Sequence, residues 1–453
     1  MVKIEVFGGR REIGGNCIKI NDGDYSLLFD QGIRFNIFKR YYGPLTEPWS
    51  IKELRDIGAV PEVSVYDGVS NIYISHLHLD HLGALGNIPN KQEIEAIYLP
   101  SIAIYQVMKK RWEHSLFHTW TSQILPERMY LKRRLSDLLD GSVKGDENVL
   151  PLMVFHSAYP SYAFLYFGSD ETVLYTGDFT TESVLPEYLM QKLELYAKGN
   201  TLFEFLSDNP DIKVDVLIME GTYVRPFLPF NLITYANERN VISNIRCSIL
   251  GERLLFAYFD ELNLELFLLL TYISSECHRK VLVYNRRLVS LLNAFLKVKP
   301  GLRSLFKDTL VLPDTFHDLI ENNELFNYEA CYEEIIEDLM RNKAEWLIIT
   351  NKNLIEFIKW FRVQFTSVRG SELLFASAEP FYEELDRQPE STLRRWLNLF
   401  GIRMRKVGVL GHYNPVKLRN ILEGIKPRKL LPVHTEHPEL FKRVFRGKIL
   451  LNM

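Results

Sequence analysis

The sequence predicts an α/β protein in which one domain is inserted into another. Two patterns along its 453 residues indicate this organisation. The first half of the chain and its C-terminal end contain short apolar runs separated by turns, as in a sheet with short connections. From about residue 253 to residue 376, predicted strands alternate with predicted helices. That alternation is typical of βαβ units and a parallel sheet.

In the first part of the chain, we predict strands where a short apolar run ends in a polar residue or a turn. These strands are Lys3–Phe7, Asn16–Ile20, Tyr25–Phe29, Asn71–Ser75, Ala96–Leu99, Leu150–Phe155, Tyr162–Phe167, Thr172–Tyr175 and Asp215–Met219. The pattern of Ile102–Leu139 predicts a helix. Residues 33–68 contain Pro44, Pro48 and Pro61, and we interpret them as a long ordered excursion between strands.

The second part of the chain predicts longer units. Its strands are Leu254–Tyr258, Lys280–Tyr284, Trp346–Thr350 and Glu372–Ala376, and its helices are Asn263–Ser274, Leu288–Lys297 and Glu329–Met340. After the insert, the pattern of short apolar runs separated by turns returns. It predicts a strand at Val407–Leu410, a helix at Pro415–Leu422 and a strand at Leu430–Val433. We therefore predict a first domain made of residues 1–225 and 401–453, interrupted by an inserted domain at 226–400.

Composition excludes several classes of protein. Hydrophobic residues make up 47% and charged residues 25% of the chain, which is ordinary for a globular protein and unlike a disordered or fibrous one. The longest apolar run, Leu264–Ile273, has about half of the ~20 residues that a membrane span needs, so we expect no membrane partner. Met1–Phe7 alternates like a strand rather than a signal peptide. The four cysteines are scattered, which predicts buried free thiols and a cytoplasmic protein.

Charge is distributed unevenly. The formal net charge is −3, yet Ser391–Met453 holds 14 Lys and Arg against 3 Asp and Glu. A basic segment of this size suits a polyanion such as nucleic acid. A charged surface facing solvent explains it equally well.

A histidine-rich stretch directly after the strand at Asn71 is the most specific motif. It places His76, His78, Asp80 and His81 within six residues. Imidazole nitrogens and a carboxylate suit Zn²⁺ or a similar divalent metal. His76 and His78 project from one side of an extended turn, so both can reach one ion, whereas Asp80 and His81 start a helix and can face a second ion.

More metal-binding residue types follow other predicted strands. His156, Asp178 and His434 each stand at or just beyond the end of an apolar run. Any one of them alone is more often a polar turn residue than a ligand. Three of them in a chain that already carries the histidine-rich stretch favour a site with two metal ions.

In chain order, this set of residues, together with Asp30, resembles the metallo-β-lactamase superfamily, whose αββα sandwich holds two metals at one edge. The resemblance implies that His76, His78 and His156 bind the first ion. It implies that Asp80, His81 and His434 bind the second ion and that Asp178 bridges both. Asp30 would orient the site without being a ligand. The predicted fold is therefore an αββα metallo-β-lactamase sandwich with an inserted parallel-sheet domain.

Two further residues narrow the resemblance. Glu220 ends the strand before the insert, and His412 follows the strand after it. They are similar to motifs A and B of the β-CASP nucleases, and the insert is then the β-CASP domain. His434 is similar to motif C, where members that act on RNA have His and members that act on DNA have Val.

Within this family, the Gly-rich opening Phe7–Cys17 and the segment from Gly411 to Glu436 are similar to ribonuclease J. Leu410, Tyr413 and Asn414 depart from its pattern, in which small residues help to hold a 5′-end phosphate. The spacing of His114 and His118 would put both on one helix face, where we expect a structural or surface role.

The resemblance implies a zinc-dependent ribonuclease that leaves 5′-phosphate and 3′-hydroxyl ends, with Asp80, His412 and Glu220 as catalytic residues. His412 would also contact the substrate. Two Zn²⁺ ions are the expected cofactors, and Mn²⁺ is an alternative. The expected partner is single-stranded RNA, and a homodimer is compatible with the sequence. We expect a 5′–3′ exonuclease of the ribonuclease J type. The alternatives are an endoribonuclease of the same fold, a DNA nuclease and a non-catalytic RNA-binding subunit.

Overall fold

A computed structural model describes residues 1–451 apart from 44–45, 47, 90–93, 114–126, 130–147, 197–198, 228–237, 285, 307–308, 312–331, 351–353, 365–367, 377–389 and 409–410. The chain forms two compact units. The first contains Met1–Thr181, Tyr196–Pro229 and Gly411–Met453, and the second contains Glu182–Leu195 and Phe230–Leu410. The insert boundaries predicted from sequence were 225/226 and 400/401. The short segment Glu182–Leu195, which joins the second unit, has no counterpart in that prediction.

The first sheet of the first unit has six strands in chain order. They are β1 (Val2–Gly8), β2 (Cys17–Asp22), β3 (Tyr25–Phe29), β4 (Asn71–Tyr73), β5 (Ala96–Leu99) and β6 (Glu127–Met129). β1, β2 and β3 are antiparallel, whereas β3 to β6 run parallel. Because β3 and β4 run parallel, the residues that follow them lie at the same edge of the sheet.

The second sheet of the first unit uses strands from both ends of the insertion. Its strands are β7 (Val149–Val154), β8 (Ser161–Phe167), β9 (Thr172–Tyr175), β10 (Val216–Glu220), β17 (Lys429–Val433) and β18 (Lys448–Ile449). β9, β10, β17 and β18 run parallel, and β10 lies between β9 and β17. Glu220 at the end of β10 pairs in register with Val433 at the end of β17. The strand before the insert and the strand near the C-terminus thus end side by side.

The two sheets pack face to face over one buried cluster. Every second residue of a strand points to this face, as the alternation of Ile18 with Ile20 on β2 and of Val216 with Ile218 on β10 shows. Phe29 of the first sheet stacks on Phe164 of the second sheet, with ring centroids 5.1 Å apart. The other face of the second sheet is covered by apolar residues of the helices Leu202–Asp208 and Leu418–Ile425.

The second unit has one sheet of six parallel strands. Its strands are β11 (Leu255–Phe259), β12 (Lys280–Val283), β13 (Thr309–Val311), β14 (Trp346–Ile349), β15 (Glu372–Ala376) and β16 (Arg403–Lys406). Their spatial order is β13, β12, β14, β11, β15 and β16. Phe256 and Tyr258 of β11 point into a core cluster that also contains Leu339, Phe357 and Leu397 from three helices. The predicted parallel-sheet insert is therefore present.

Three of the remaining helices, Leu264–Glu276, Arg286–Val298 and Tyr332–Arg341, correspond to helices predicted in the insert, and most of the others have no counterpart in the sequence prediction. In the first unit the remaining helices are Phe35–Tyr41, Ile51–Asp56, Leu79–Leu82 and Ile102–Glu113. In the second unit they are Glu187–Leu193, Glu238–Ile249, Leu264–Glu276, Arg286–Val298, Tyr332–Arg341, Leu354–Gln364 and Glu390–Phe400. The helix Leu264–Glu276 begins after Asn263, whose side chain accepts a hydrogen bond from the Leu266 N–H. No helix among the described residues is long and apolar enough to cross a membrane.

The structure corrects several details of the sequence prediction. Of the strand predicted at Val407–Leu410, the first two residues are not in a strand and residues 409–410 lie outside the described part of the chain. The structure has a strand just before it, at Arg403–Lys406, a charged edge strand that lacks the apolar pattern used to find strands. Within the range Ile102–Leu139, predicted as one helix, the structure describes a helix at Ile102–Glu113 and strand β6 at Glu127–Met129, and the other residues of the range lie outside the described ones. The excursion at 33–68 contains two short α-helices and a 3₁₀ helix at Val63–Tyr66. Cys17 is a buried free thiol as expected, but Cys247 is exposed.

One buried carboxylate organises the basic edge of the second unit. Glu372 is 1% exposed and accepts hydrogen bonds from Ser248 Oγ at 2.6 Å and from Arg405 Nε at 2.6 Å. Arg253 and Arg403 pair with its other oxygen. Burial alone would raise the pKa of Glu372, but these donors lower it to about 2. Arg403 and Arg405, two basic residues near the end of the insert, therefore have a structural role.

We expect Glu372→Gln to lower the unfolding free energy by about 1–3 kcal/mol at neutral pH, because charge-assisted hydrogen bonds are lost. A carboxylate whose folded pKa lies below its unfolded pKa stabilises the fold above the unfolded value, and this stabilisation is lost as pH falls towards about 2. The difference in Tm between wild type and variant should therefore shrink on acidification. Glu334→Gln, at an exposed position of the same unit, is the control. A difference in Tm that does not change with pH would contradict the role of the charge.

Candidate metal centre

Strands of both sheets in the first unit deliver the predicted site residues to one edge of the sandwich. Asp30 follows β3, and the stretch from His76 to His81 follows β4 and ends in the helix Leu79–Leu82. Asp178, Glu220 and His434 lie at the ends of the parallel strands β9, β10 and β17. His156 follows β7 after a single residue. The structure therefore brings together every residue that the sequence assigned to the site.

The backbone turns sharply where two of these residues leave their strands. Asp30 has φ 59° and His434 has φ 50°, which is the left-handed region that non-glycine residues rarely adopt. Gly177, with φ 55°, makes a comparable turn before Asp178. Such conformations persist only where surrounding contacts hold them, and they are common at functional sites. Here they direct the side chains across the edge instead of along the strand.

The first group of side chains contains three buried imidazoles. Nδ1 of His78 lies 3.1 Å from Nε2 of His76 and 3.2 Å from Nε2 of His156. Ser75 Oγ donates to Asp30 at 2.8 Å, so it accepts the proton on His76 Nδ1 at 3.1 Å. The Gly411 carbonyl accepts the proton on His156 Nδ1. His76 and His156 therefore present lone pairs at their Nε2 atoms.

The second group contains two carboxylates and two imidazoles. Nε2 of His81 lies 3.0 Å from Asp178 Oδ2 and 3.7 Å from Asp80 Oδ2. His434 approaches the same two carboxylates, with Nδ1 2.7 Å from Asp178 Oδ1 and Nε2 3.4 Å from Asp80 Oδ2. All four side chains are at most 1% exposed. In this arrangement, one cation can lie between the four ligand atoms.

The donor set fits divalent metal ions. In the first group, lone pairs of two imidazoles face a third ring, which is unfavourable unless a cation is present. In the second group, both carboxylate oxygens of Asp80 and Nε2 of His434 are buried and make no hydrogen bond within the described part of the chain. Leaving such atoms unsatisfied costs about 1–3 kcal/mol each. Nitrogen and oxygen ligands of this kind satisfy those atoms when they bind a divalent metal.

Asp30 fixes the orientation of the centre. Its carboxylate accepts hydrogen bonds from Ser75 N at 2.7 Å, Ser75 Oγ at 2.8 Å and Tyr175 Oη at 2.5 Å. Its Oδ2 also lies 2.7 Å from His81 Nδ1, so the proton of that ring is on Nδ1 and Nε2 faces the carboxylates. Asp30 contacts the histidine-rich stretch without belonging to either group of possible ligands. Carboxylates in this position set the tautomer of a metal-binding histidine.

The electrostatics of the two groups differ. Burial lowers the pKa of His76 well below its ordinary value, and the neighbouring imidazoles lower it further, so this ring is neutral and able to bind metal. Burial would also lower the pKa of His81, but Asp178, Asp80 and Asp30 raise it well above the ordinary value. The first group is thus poor in negative charge, whereas the second group attracts positive charge.

A histidine–carboxylate pair lies beside the second group. Nδ1 of His412 is 3.1 Å from Glu220 Oε1 and 3.8 Å from Asp178 Oδ2, and both His412 and Glu220 are fully buried. The other oxygen of Glu220 accepts from the N–H and the hydroxyl of Thr222, each at 2.9 Å. Glu220 is therefore held by the backbone and can orient His412. The ligand atoms of Asp178, Glu220 and His412 also lie close enough together to hold an ion.

Sequence reasoning missed three residues that support the site. Ser75, Tyr175 and Thr222 each donate to a carboxylate of the centre. Ser75 directly precedes His76 and Thr222 lies two residues after Glu220, so their position was a usable signal. Tyr175 lies on a strand of the second sheet while Asp30 follows a strand of the first, so no local pattern connects them. Leu410, His114 and His118, which the sequence analysis discussed, lie outside the described residues.

Comparisons with known proteins identify a similar domain and several similar proteins. Residues 67–189 match the sequence model of the metallo-beta-lactamase superfamily. Ribonuclease J of Pyrococcus abyssi is 32% identical over 107 residues, which cover 23% of this chain and 22% of that protein. Cleavage and polyadenylation specificity factor subunit 3 of Dictyostelium discoideum is 24% identical over 230 residues, which cover 49% of this chain and 26% of that protein. The chain thus spans about a quarter of the length of these curated relatives.

A solved structure covers the whole chain. The crystal structure of a protein of unknown function from Enterococcus faecalis V583 superposes with a TM-score of 0.70 at 18% identity, over 100% of this chain and 98% of that one. This likeness concerns the fold alone. The matched domain and the relatives confirm the predicted resemblance to the metallo-β-lactamase superfamily and its β-CASP members. Residues 67–189 are thus similar to the metallo-β-lactamase superfamily, and the histidine and aspartate clusters of the chain suit divalent metal.

We expect Asp30→Ala to weaken metal binding by roughly 10- to 100-fold, because His81 loses the acceptor that sets its tautomer. Titration with a competing chromophoric chelator measures this affinity directly. Asp24→Ala, at the exposed turn between β2 and β3, removes a carboxylate without touching the centre and is the matched control. Equal metal affinity in Asp30→Ala and wild type would show that Asp30 does not act on the ligands.

Proposed function

We propose that this protein is a metal-dependent ribonuclease of the β-CASP type. In this proposal it hydrolyses single-stranded RNA with two zinc ions and leaves 5′-phosphate and 3′-hydroxyl ends. Residues 226–400 are the β-CASP insert, and the mode of action is that of a 5′–3′ exonuclease of the ribonuclease J type. The single observation that carries the proposal is the contact of the Glu220–His412 pair with Asp178, which belongs to the second ligand group.

The ligand assignment follows the two groups of side chains. In this assignment, His76, His78 and His156 would hold the first ion, Asp80, His81 and His434 would hold the second, and Asp178 would be a ligand shared by both. The proximity of each trio supports this assignment. When bound, two divalent ions supply Lewis-acid chemistry, because they lower the pKa of water and stabilise charge on phosphoryl oxygens.

Asp80 is the residue that we assign to the attacking water. Burial raises the pKa of its carboxyl above the ordinary value, whereas the nearby His81 and His434 oppose that shift. Both oxygen atoms are buried and accept no hydrogen bond from the described residues. Asp80 can therefore hold a water molecule in line with the phosphorus atom and accept its proton as the new P–O bond forms.

His412 is the residue that we assign to the leaving group. Glu220 accepts the proton on Nδ1, so Nε2 points away from that carboxylate and can donate a proton. As the bond between phosphorus and the 3′-oxygen breaks, this proton goes to the 3′-oxygen and produces the 3′-hydroxyl end. Glu220 stabilises the charged imidazole because the carboxylate is buried and held by Thr222.

Support for RNA as the substrate comes from two sources. His434 is present where RNA-directed members of the family have histidine, and the curated relatives include proteins named ribonuclease J. The basic C-terminal segment adds charge suited to phosphates, although Arg403 and Arg405 are paired with Glu372. A DNA nuclease and a non-catalytic RNA-binding subunit are the alternatives.

The test is the cleavage of one RNA prepared with a 5′-monophosphate or a 5′-triphosphate end, with and without a chelator. We expect chelator-sensitive release of mononucleotides from the monophosphate form. Internal fragments from both forms would replace the exonuclease assignment with an endonuclease.

We expect His76→Ala to abolish cleavage while RNA binding survives, because this variant removes a ligand from the first ion. Cleavage at the wild-type rate in this variant would contradict the metal assignment.

We expect His412→Ala to slow cleavage by about 100-fold or more, since general acid catalysis contributes roughly 10²- to 10⁴-fold. The metal content, measured by mass spectrometry of the purified protein, should stay at the wild-type value. Tyr413→Phe, which removes only a hydrogen bond to the Glu220 carbonyl, is the neighbouring control. Loss of an ion in His412→Ala would instead make His412 a ligand together with Asp178 and Glu220.

A further inference from the structure

A second polar site lies in the first unit, outside the metal centre. It is a pocket of about 430 Å³ whose lining includes Arg10, Arg11, Arg34 and Arg40 together with Glu12 and Glu436. Four guanidinium groups against two carboxylates leave a positive excess. Arginine dominates where proteins bind phosphate, because its planar fork matches two phosphate oxygens at once.

The arginines of this pocket are not equivalent. Arg34 is occupied, since its Nε bonds Glu12 Oε1 at 2.8 Å and its Nη1 bonds the Gly58 carbonyl at 3.1 Å. Arg11 pairs with Glu439 at 3.3 Å across exposed surface. Arg40 is exposed in the last turn of the helix Phe35–Tyr41 and makes no hydrogen bond or ion pair with the described residues. Arg40 is therefore the cation of the pocket that is available to a ligand.

The pocket is connected to the metal centre by the loop that follows β1. Arg10 and Glu12 lie on this loop, and both pair with Thr435, the residue after His434. The Gly9 carbonyl accepts from His434 N at 2.6 Å, and Asn16 N donates to the Asp80 carbonyl at 3.0 Å.

The loop passes so close to the centre that it has no room for a side chain at Gly14. A Cβ atom there would lie 2.8 Å from Asp80 Oδ2, and the residue has φ 81°. One short loop thus contacts a proposed metal ligand at two points while it lines the pocket with Arg10, Arg11 and Glu12.

We propose that this pocket binds a backbone phosphate of the substrate strand at a position outside the metal centre. The inference rests on the proposed function, because it assigns the strand whose scissile phosphate lies at the metals. Arg40 supplies the guanidinium, whereas Arg10 on the loop donates to the Leu451 carbonyl. Glu12 is neutralised by Arg34, so it does not repel the phosphate. The same arginine would also bind free inorganic phosphate, which is therefore the ligand that competes with the backbone phosphate of the strand.

The test measures binding, not hydrolysis. A fluorescent single-stranded oligoribonucleotide with phosphorothioate linkages, which slow hydrolysis but keep the charge, is titrated with the metal-loaded protein at several salt concentrations. We expect Arg40→Glu to weaken binding by about tenfold and to reduce the slope of log K against log salt by about 0.7, the value for one phosphate contact on a single strand. Arg40→Gln should show the same direction with a smaller loss of affinity, and thermal unfolding checks that both variants are folded.

Arg446→Glu is the matched control, because it makes the same charge change at an exposed arginine. Arg446 precedes β18, which runs parallel to β17, so it lies at the end of the sheet opposite to His434. Equal weakening by Arg40→Glu and Arg446→Glu would overturn the pocket assignment, because the effect would then be general charge. Unchanged affinity in Arg40→Glu would overturn it as well.

Free phosphate is distinguished in a separate arm. If inorganic phosphate raises the Tm of wild type but not of Arg40→Glu, while RNA binding is equal in both, the pocket binds the ion and not the strand, which overturns the inference.

The outcome is also separable from the proposed function. Wild type that hydrolyses RNA while Arg40→Glu binds RNA normally refutes the pocket alone. Wild type that binds RNA through Arg40 but never hydrolyses it refutes the ribonuclease proposal alone.

Discussion

The buried carboxylate of Asp30 is the interaction on which the metal centre depends. It accepts hydrogen bonds from the histidine-rich stretch at Ser75 and His81 and from Tyr175 in the opposite sheet. A carboxylate without exposure to water is stable only when its oxygens are fully bonded. The same bonds that satisfy Asp30 therefore hold the two sheets in register at the edge where the ligands meet. These bonds connect the histidine-rich stretch to the opposite sheet and set the orientation of the His81 ring.

The histidines of the centre differ in what holds their second nitrogen. His156 bonds a backbone carbonyl, His81 bonds a carboxylate next to two further carboxylates, and His412 bonds a carboxylate beside the ligand groups. A carbonyl favours a neutral ring that acts as a ligand, whereas a buried carboxylate favours a ring that can carry a proton. In the proposed ribonuclease, His81 and His412 both bond a carboxylate, but His81 directs Nε2 at the second ligand group, whereas His412 is assigned to the leaving group.

Basic residues of the chain divide in a similar way. Arg253, Arg403 and Arg405 surround Glu372 in the second unit, and Arg279 donates to backbone carbonyls between strands and helices. These guanidinium groups hold the fold together. The arginines around the pocket in the first unit, by contrast, exceed the carboxylates beside them. The number of basic residues in a segment therefore overstates how much of its surface can bind a polyanion. The location of the unpaired charges matters more than their number.

The sequence alone determined the chemistry and the order of the site. Histidine and aspartate at strand ends were recognisable because strand period and ligand type are local properties, and His76, His78, Asp80, His81, His156, Asp178 and His434 all meet in the structure. The alternating strands and helices of the insert were recognisable for the same reason. Only the tertiary structure decided that Tyr175 serves Asp30, that Glu182–Leu195 belongs to the second unit, and that Arg40 rather than Arg405 is available to a ligand. Those outcomes depend on which distant residues become neighbours, and periodicity and spacing along the chain do not encode partners that are far apart in sequence.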